Sequence, residues 1–195
     1  VRDAVLYEIW EEQMAENARF IYESRDSFLK EFIPVFQRFY DLISGGNEQV
    51  RLEYDSHLAK GSLIPQLEEV RGRDLILGYT TRGVHKDDLE MSLGEYPMKR
   101  IGSQGQCKTF LVALKLAQFE FLKLHGSTTP VLLLDDLFDK LDAERVARIV
   151  ELVSGDSFGQ IFITDTNREY LDEIVRKTGN DYHIYSVDKG KFTRI

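Results

Sequence analysis

The 195-residue chain is 43% hydrophobic and 30% charged, a balance that is ordinary for a soluble globular protein. No apolar run approaches the roughly 20 residues that a membrane span requires, and a single cysteine, Cys107, cannot form an intrachain disulfide. The net charge of −8 disfavours an extended surface that binds nucleic acid, because phosphate contacts need lysine and arginine. We therefore expect a cytoplasmic protein without a membrane partner.

The first part of the chain has a pattern that predicts a helix from Asp3 to about Ile43. Apolar residues recur there at spacings of three, four and seven, separated by polar and charged residues. Some forty helical residues would extend for roughly 60 Å, so we expect a bend between residues 23 and 27 or at Pro34. The turn-forming residues 44–47 then end the helix.

Shorter elements follow the long helix. Alternation at residues 50–54 predicts a strand, and a one-sided apolar pattern at residues 63–70 predicts a second helix. Residues 89–93 and 96–100, on either side of a Gly-Glu pair, are expected to form a β-hairpin.

Beyond Ser103 helices alternate with strands, which is typical of an α/β sheet with a parallel core. The predicted order is helix 106–125, strand 131–135, helix 143–153, strand 160–164, helix 168–177 and strands 182–187 and 192–195. We therefore predict two domains, a helical arm over residues 1–75 and a sheet domain over residues 76–195.

Two acidic residues follow the apolar run 131–134. A strand buried on both faces is predicted here, and it would deliver Asp135 and Asp136 to the sheet edge at which α/β proteins bind ligands. Asp135 could then hold Mg²⁺, directly or through water, and Asp136 could orient or deprotonate the water that attacks a γ-phosphate. Both acids could equally cap the following turn, and Asp142 could simply begin a helix.

A glycine-rich turn, Gly102-Ser103-Gln104-Gly105-Gln106, precedes the helix predicted at residues 106–125. Backbone N–H groups and the helix dipole favour an anion at such a turn. Ser103 can also donate from its hydroxyl, and Gln106 can reach a ribose or phosphate oxygen. Residues 102–109 nearly match the P-loop pattern G-x-x-x-x-G-K-[ST], but Cys107 occupies the place of the second glycine. A glycine helix start without a ligand is the remaining alternative.

Basic side chains are unevenly distributed along the chain. Residues 60–108 carry 8 basic and 7 acidic side chains, whereas residues 1–59 carry 6 basic and 12 acidic ones. A DNA-binding surface is therefore more plausible in the first of these segments, although scattered surface charge explains the same counts. The DNA contacts that we predict are Arg71, Arg73, Arg82 and Lys86.

Several short segments together form a recognisable set. They are Ser103-Gln104-Gly105-Gln106, Lys108-Thr109, residues 113–117, residues 132–136, Leu141-Asp142 and residues 160–164. Residues 83–89 also resemble a Gly-Pro-His-Arg-Asp-Asp-Leu element, with two substitutions. This set resembles the RecF family of SMC-like ABC ATPases. The resemblance covers residues 83–166 well, whereas the arm is similar only in being helical.

The resemblance implies the C-terminal half of an ABC-type ATPase head with an N-terminal helical arm. Four residues of the signature loop would face the γ-phosphate of ATP held by the opposite subunit: Ser103, Gln104, Gly105 and Gln106. Asp135 would serve Mg²⁺ and Asp136 hydrolysis. Asp142 would lie in the D-loop at the dimer seam, and Thr166 falls at the position of the switch histidine.

For function, the resemblance implies DNA replication, repair and the SOS response, through binding at gapped DNA and single-strand/double-strand junctions. It also implies a homodimer formed with ATP, partner proteins of the RecR and RecO type, and support for recombinase loading. In the family a strand, a P-loop and an adenine-contacting lobe precede these motifs. We therefore expect the chain to be a C-terminal part, inactive alone, of a slow ATPase.

Two other functions compete with this interpretation. The arm and sheet could form a nucleotide-free module that binds a partner protein, with the glycine turn and acids as relics. Alternatively, the chain could belong to a different SMC-like head, such as an ATPase tied to a nuclease. That function would need further metal-binding acids, and the sequence shows no nuclease constellation.

Overall fold

The computed structural model describes residues 2–136, 139–155, 157–166, 176, 179 and 181–195, with side chains from residue 6 onward. The chain divides into two compact units. The arm unit comprises Val1–Arg38 and Asn47–Gly102, and the sheet unit comprises Phe39–Gly46 and Ser103–Ile195. The predicted domain division after residue 75 stays a prediction.

Helix α1 runs without interruption from Arg2 to Ser44 and contributes residues to both units. The helix predicted for this segment is confirmed. It continues through residues 23–27 and through Pro34, the two places at which a bend was expected. Phe32 and Phe36 of its arm-unit part are buried, which agrees with aromatic residues used for packing.

The sheet of the arm unit has three antiparallel strands, β1 (Val50–Asp55), β2 (Asp88–Leu93) and β3 (Tyr96–Pro97). Strands β1 and β2 pair along their whole length, and β3 pairs with the end of β2. The predicted hairpin is thus confirmed, but its second strand is shorter than expected. Pro97 lacks the N–H that would continue the ladder, and helix α3 (Met98–Ile101) begins directly after it.

Helix α2 (Leu63–Leu77) packs against α1 in the arm unit. The small core between them contains Ala18, Leu63 and Leu67, each with only 2% of its surface exposed. Short 3-10 helices at His57–Lys60 and Val84–Lys86 supply Leu58 and Val84 to the rim of this core. The loop around residues 79–87 is therefore fixed against both helices.

The sheet unit contains helix α4 (Gln104–His125), strand β4 (Leu132–Leu134), helix α5 (Ala143–Val153) and strand β5 (Ile161–Ile163). Strands β4 and β5 are parallel, with Leu133 opposite Phe162. The alternation of helices and parallel strands predicted from the sequence is confirmed. Because α4 and α5 bury one apolar side each, this unit has its own core. Its fully buried side chains include Tyr40, Ile43, Phe110, Leu116, Val146, Ile149 and Val153.

The β4–β5 sheet is buried on one face only, which corrects the prediction of a strand buried on both. Leu132 and Leu134 are 5% and 6% exposed, whereas Leu133 is 69% exposed and Phe162 is 52% exposed. Side chains alternate between the faces of a strand, so the described residues cover the face of Leu132 and leave that of Leu133 open.

The last described segment forms an antiparallel hairpin of β6 (Tyr185–Asp188) and β7 (Lys191–Arg194), close to the two strands predicted there. The helix predicted at residues 168–177 lies outside the described residues apart from Arg176. Within the described part of the chain, no helix combines the length and apolar character needed to cross a membrane.

Candidate nucleotide half-site

The glycine-rich turn forms the N-terminus of α4. Ser103 is the N-cap residue, and its Oγ accepts a hydrogen bond of 3.2 Å from the backbone N–H of Gln106. In return, Oε1 of Gln106 accepts a bond of 2.9 Å from the backbone N–H of Ser103. This reciprocal capping box fixes the first turn and still leaves the Ser103 hydroxyl proton to be donated elsewhere. Ser103 and Gln104 are exposed, as a phosphate-binding turn requires.

The two acids lie directly after β4, where the sequence placed them, and both are exposed. Asp136 has a left-handed backbone with φ of 51°. Thr164, the residue after β5, contacts both acids. Its hydroxyl donates to Oδ1 of Asp135, and its Oγ1 accepts a 3.2 Å bond from the N–H of Asp136. The ends of two parallel strands therefore meet at one polar edge.

This edge is chemically suited to Mg²⁺. In the described residues, no group of three or more His, Cys, Asp or Glu side chains could hold a metal ion by itself. Mg²⁺ commonly binds one or two carboxylates and completes its coordination with water and substrate phosphates. Asp135, with one carboxylate oxygen held by Thr164, fits that role and would need a nucleotide to complete the site.

Helix α4 touches the loop that follows the acids at two points. Lys108 donates from Nζ to the carbonyl oxygen of Asp136. A Cβ atom added to Gly105 would lie 3.0 Å from the carbonyl oxygen of Lys140, so glycine permits a close approach of the two backbones here. Lys140 itself has a left-handed φ of 64°.

Asp142 caps helix α5, which is the alternative role considered for it. Its carboxylate accepts bonds from the backbone N–H of Arg145 at 2.8 Å and from Nε of the same residue at 3.1 Å. Arg145 also donates to Oγ1 of Thr109 at 2.8 Å, and Thr109 is fully buried in α4. The cap therefore joins α5 to the first turns of α4.

Among the described residues, no hydrogen bond joins Thr166, the predicted switch position, to Asp135 or Asp136. Thr166 is exposed, two residues beyond Thr164, which makes the contacts. Thr164 and Lys108 lie in segments that carry the resemblance, but the sequence assigned no role to either side chain. Thr164 could have been found, because it follows β5 just as Asp135 follows β4, and parallel strands end at the same edge. The capping box was also visible as the spacing S-x-x-Q.

The four predicted DNA contacts lie in different environments within the arm unit. Arg71 makes a two-pronged ion pair with Glu11, with distances of 3.1 and 2.5 Å. Arg73 and Lys86 are exposed, Lys86 with Nζ 5.2 Å from the ring centre of Tyr79, and Arg82 is half-buried. Arg71 is thus engaged within the arm, whereas Arg73 and Lys86 present their charge to solvent.

A buried carboxylate anchors the motif at residues 83–89. Asp87 has 3% of its side chain exposed, and its Oδ2 accepts bonds from the Tyr54 hydroxyl at 2.5 Å and from Arg25 at 2.9 Å. Arg25 donates in addition to the carbonyl oxygen of Val84 at 2.9 Å. Burial, and then the hydrogen bond to Asp87, raise the pKa of the Tyr54 phenol. This network holds the loop to α1 and β1.

Curated proteins are similar to this chain over nearly its whole length. No family model matches the chain. The DNA replication and repair protein RecF of Bacteroides fragilis is 60% identical over 190 residues, which is 97% of this chain and 51% of that protein. The RecF of Bacteroides thetaiotaomicron is 58% identical over 185 residues, or 95% of this chain and 50% of that protein. The chain thus spans about half the length of the curated relatives that it matches.

Solved structures give the same fold. The recombination mediator RecF with ATP superposes on 97% of this chain and 50% of its own length, with a TM-score of 0.69 at 24% identity. RecF with a related nucleotide, ATPrS, superposes with a TM-score of 0.68 at 22% identity over the same shares. The architecture is therefore that of the C-terminal half of an ABC-type ATPase head with a helical arm, as predicted. With the sequence identities above, the chain belongs to the RecF family over the length that it spans.

Proposed function

We propose that this chain supplies one half of a RecF-type nucleotide site, which is completed when two subunits bind ATP and dimerise. One observation carries the proposal. The exposed, capped N-terminus of α4 and the exposed acids after β4 belong to the same compact unit and are linked through Lys108. An anion-binding helix start and a pair of carboxylates are the two parts that such a site requires from this half.

The residues would divide the work as follows. The signature loop, namely Ser103, Gln104, Gly105 and Gln106, would bind the γ-phosphate of the opposite subunit's ATP with backbone N–H groups and the Ser103 hydroxyl. Asp135 would hold Mg²⁺, which would neutralise phosphate charge when bound. Asp136 would orient or deprotonate the attacking water. Asp142 would position the D-loop at the dimer seam, and Thr166 would take the switch position without an imidazole, which suits slow hydrolysis.

We further propose that the assembled protein acts in the cytoplasm in DNA replication and repair, including the SOS response. It would bind gapped DNA or single-strand/double-strand junctions and work with RecR- and RecO-type partners in recombinase loading. The arm would provide the DNA contacts. Arg73 and Lys86 are exposed and Arg82 is half-exposed, so their charges are accessible to DNA phosphates. Arg71 would first have to break its ion pair with Glu11.

A titration of the chain with a fluorescent ATP analogue and Mg²⁺ tests whether the half-site acts alone. We expect no binding below about 1 mM, since a single helix N-terminus and one carboxylate edge offer few contacts. Micromolar binding would overturn the assignment of the signature loop to the opposite subunit's nucleotide. It would favour the near-P-loop segment 102–109 as a site in its own right.

The dimer itself is tested in a chimera in which this chain replaces the matching half of Bacteroides fragilis RecF, referred to below as the RecF chimera. Ser103→Arg should abolish the ATP-driven dimer in sedimentation velocity, because the bulky cation fills the phosphate-binding turn. Ser127→Arg, the same substitution at an exposed position beyond the other end of α4, should leave the dimer intact. Failure of the unmodified chimera to dimerise with ATP would contradict the proposal and favour the nucleotide-free interaction module.

A further inference from the structure

Asp136 is held by its backbone on two sides. Its N–H donates to Oγ1 of Thr164 at 3.2 Å, and its carbonyl oxygen accepts a hydrogen bond from the ammonium group of Lys108. Its φ of 51° lies in the left-handed region, which aspartate tolerates better than most residues but which still costs free energy. The backbone at Asp136 is therefore maintained by its neighbours, Thr164 from β5 and Lys108 from α4.

These two bonds also set the direction in which the Asp136 side chain leaves the backbone. The N–H and C=O of one residue lie on opposite sides of its Cα, so anchoring both fixes φ and ψ and with them the Cα–Cβ direction. The bond from Lys108 is charge-assisted, which makes it the stronger of the two constraints. A displacement of Lys108 would therefore rotate the carboxylate of Asp136.

Lys108 is rigidly connected to the signature loop. It lies on the same uninterrupted helix, five residues after Ser103, which is roughly 7–8 Å along the axis. The first turn between them is fixed by the Ser103–Gln106 capping box, and the next turn by the partly buried bond from Arg145 to Thr109. A displacement of the start of α4 would therefore displace Lys108 by nearly the same distance.

We propose that Lys108 is a positioning residue that couples the two nucleotide sites of the dimer. A phosphate bound by the signature loop, which belongs to the opposite subunit's ATP, fixes the start of α4. Through Lys108 it thereby fixes the carboxylate of Asp136, which acts on this subunit's own ATP. Hydrolysis at one site thus depends on occupation of the other. This inference rests on the proposed function and adds a route of communication to it.

The test uses the RecF chimera with Lys108→Met, which keeps most of the length of the side chain and removes the ammonium group. ATP-driven dimerisation and KM should stay within about twofold of the unmodified chimera, while kcat should fall about tenfold or more, since misplacement of a catalytic group by about 1 Å is costly. Lys108→Arg keeps a cationic donor and should recover most of kcat. Lys115→Met, at an exposed position of the same helix, serves as the matched control and should behave as the unmodified chimera.

Amide hydrogen exchange on this chain supplies a readout that is independent of ATP. Lys108→Met should accelerate exchange at Asp136 while the amides in the middle of α4 keep their protection. An unchanged kcat in Lys108→Met, in a chimera that dimerises normally, would overturn the inference and leave the proposed function standing. Loss of dimer and kcat together, with faster exchange throughout α4, would also overturn it, because Lys108 would then be structural. If the unmodified chimera failed to dimerise, the proposed function would fail first.

Discussion

The arm unit and the sheet unit use aspartate in opposite ways. In the arm, Asp87 is almost completely buried, and both Arg25 and Tyr54 donate to one of its carboxylate oxygens. In the sheet unit, Asp135 and Asp136 are exposed after a strand; Thr164 and Lys108 hold the backbone of Asp136, and Thr164 holds one carboxylate oxygen of Asp135. A carboxylate whose oxygen accepts hydrogen bonds from internal partners stabilises the fold. An aspartate that is anchored through its backbone keeps its carboxylate available to a ligand.

Other charged groups of the arm are also held by internal partners. Burial tends to raise the pKa of Asp74, but hydrogen bonds from the backbone and hydroxyl of Thr81, together with nearby arginines, outweigh it and lower the pKa. Arg71 likewise pairs with Glu11. The charges of the arm that are structural can thus be separated from those that are exposed, and mutations in the two units should fail in different ways.

The largest expected effect is on hydrolysis. Asp136→Asn in the RecF chimera should lower kcat about 100-fold or more, because the amide cannot accept a proton from water. The ATP-bound dimer should persist and accumulate, as measured by sedimentation velocity. Asp181→Asn, at an exposed acid of the same unit, provides the control. A normal rate in Asp136→Asn would remove this residue from catalysis.

In the arm, the expected loss is one of stability. Asp87→Ala should lower the free energy of unfolding by about 2 to 3 kcal/mol, since Tyr54 loses its acceptor and Arg25 its counter-charge. Urea unfolding followed by the fluorescence of Trp10, the only tryptophan, reports on this unit. Asp88→Ala, at the exposed neighbouring residue, should change stability by much less. Equal effects of the two substitutions would contradict a structural role for Asp87.

Glycine-to-alanine substitutions should change the free energy of unfolding in opposite directions in the two units. Gly105→Ala places a Cβ 3.0 Å from the Lys140 carbonyl and should destabilise the sheet unit by about 1 kcal/mol. Gly72→Ala meets nothing within 4 Å in the interior of α2 and should stabilise the arm unit by about 0.5–1 kcal/mol. Both changes are measured by urea unfolding of the chain. Stabilisation by Gly105→Ala would show that the backbone at Lys140 shifts easily.

The smallest effect concerns pH. Because burial raises the pKa of Tyr54, its neutral form is favoured in the folded arm. The resulting stability is fully present below the ordinary tyrosine pKa of about 10 and is lost as the pH rises through the raised value. Unfolding of the chain between pH 8 and 11 should therefore show a decline that Tyr54→Phe reduces. Tyr96→Phe, at a 62% exposed tyrosine, should leave the decline unchanged.

Local signals made much of this structure predictable. The period of α1, the glycine turn before α4 and the acids after β4 are all encoded in neighbouring residues. The contact between Lys108 and Asp136 joins residues 28 positions apart, and no local pattern predicts it. Leu133 was misjudged for a related reason, since an apolar run shows that a strand is apolar but not which faces other elements cover.

A mixing experiment tests the central claim, that this half of the site acts on the opposite subunit's ATP. The RecF chimera with Ser103→Arg is combined with a chimera in which the lysine of the P-loop, expected in the half supplied by the relative, is replaced by alanine. Each variant alone should be inactive as an ATPase. In the mixed dimer one composite site pairs an intact lysine with an intact Ser103, so mixing should raise hydrolysis well above that of either variant alone. The rate should stay below that of the unmodified chimera, because the second site is empty and the coupling through Lys108 is lost. If no mixing ratio restored activity, Ser103 would have to act within its own subunit, and the account would be contradicted.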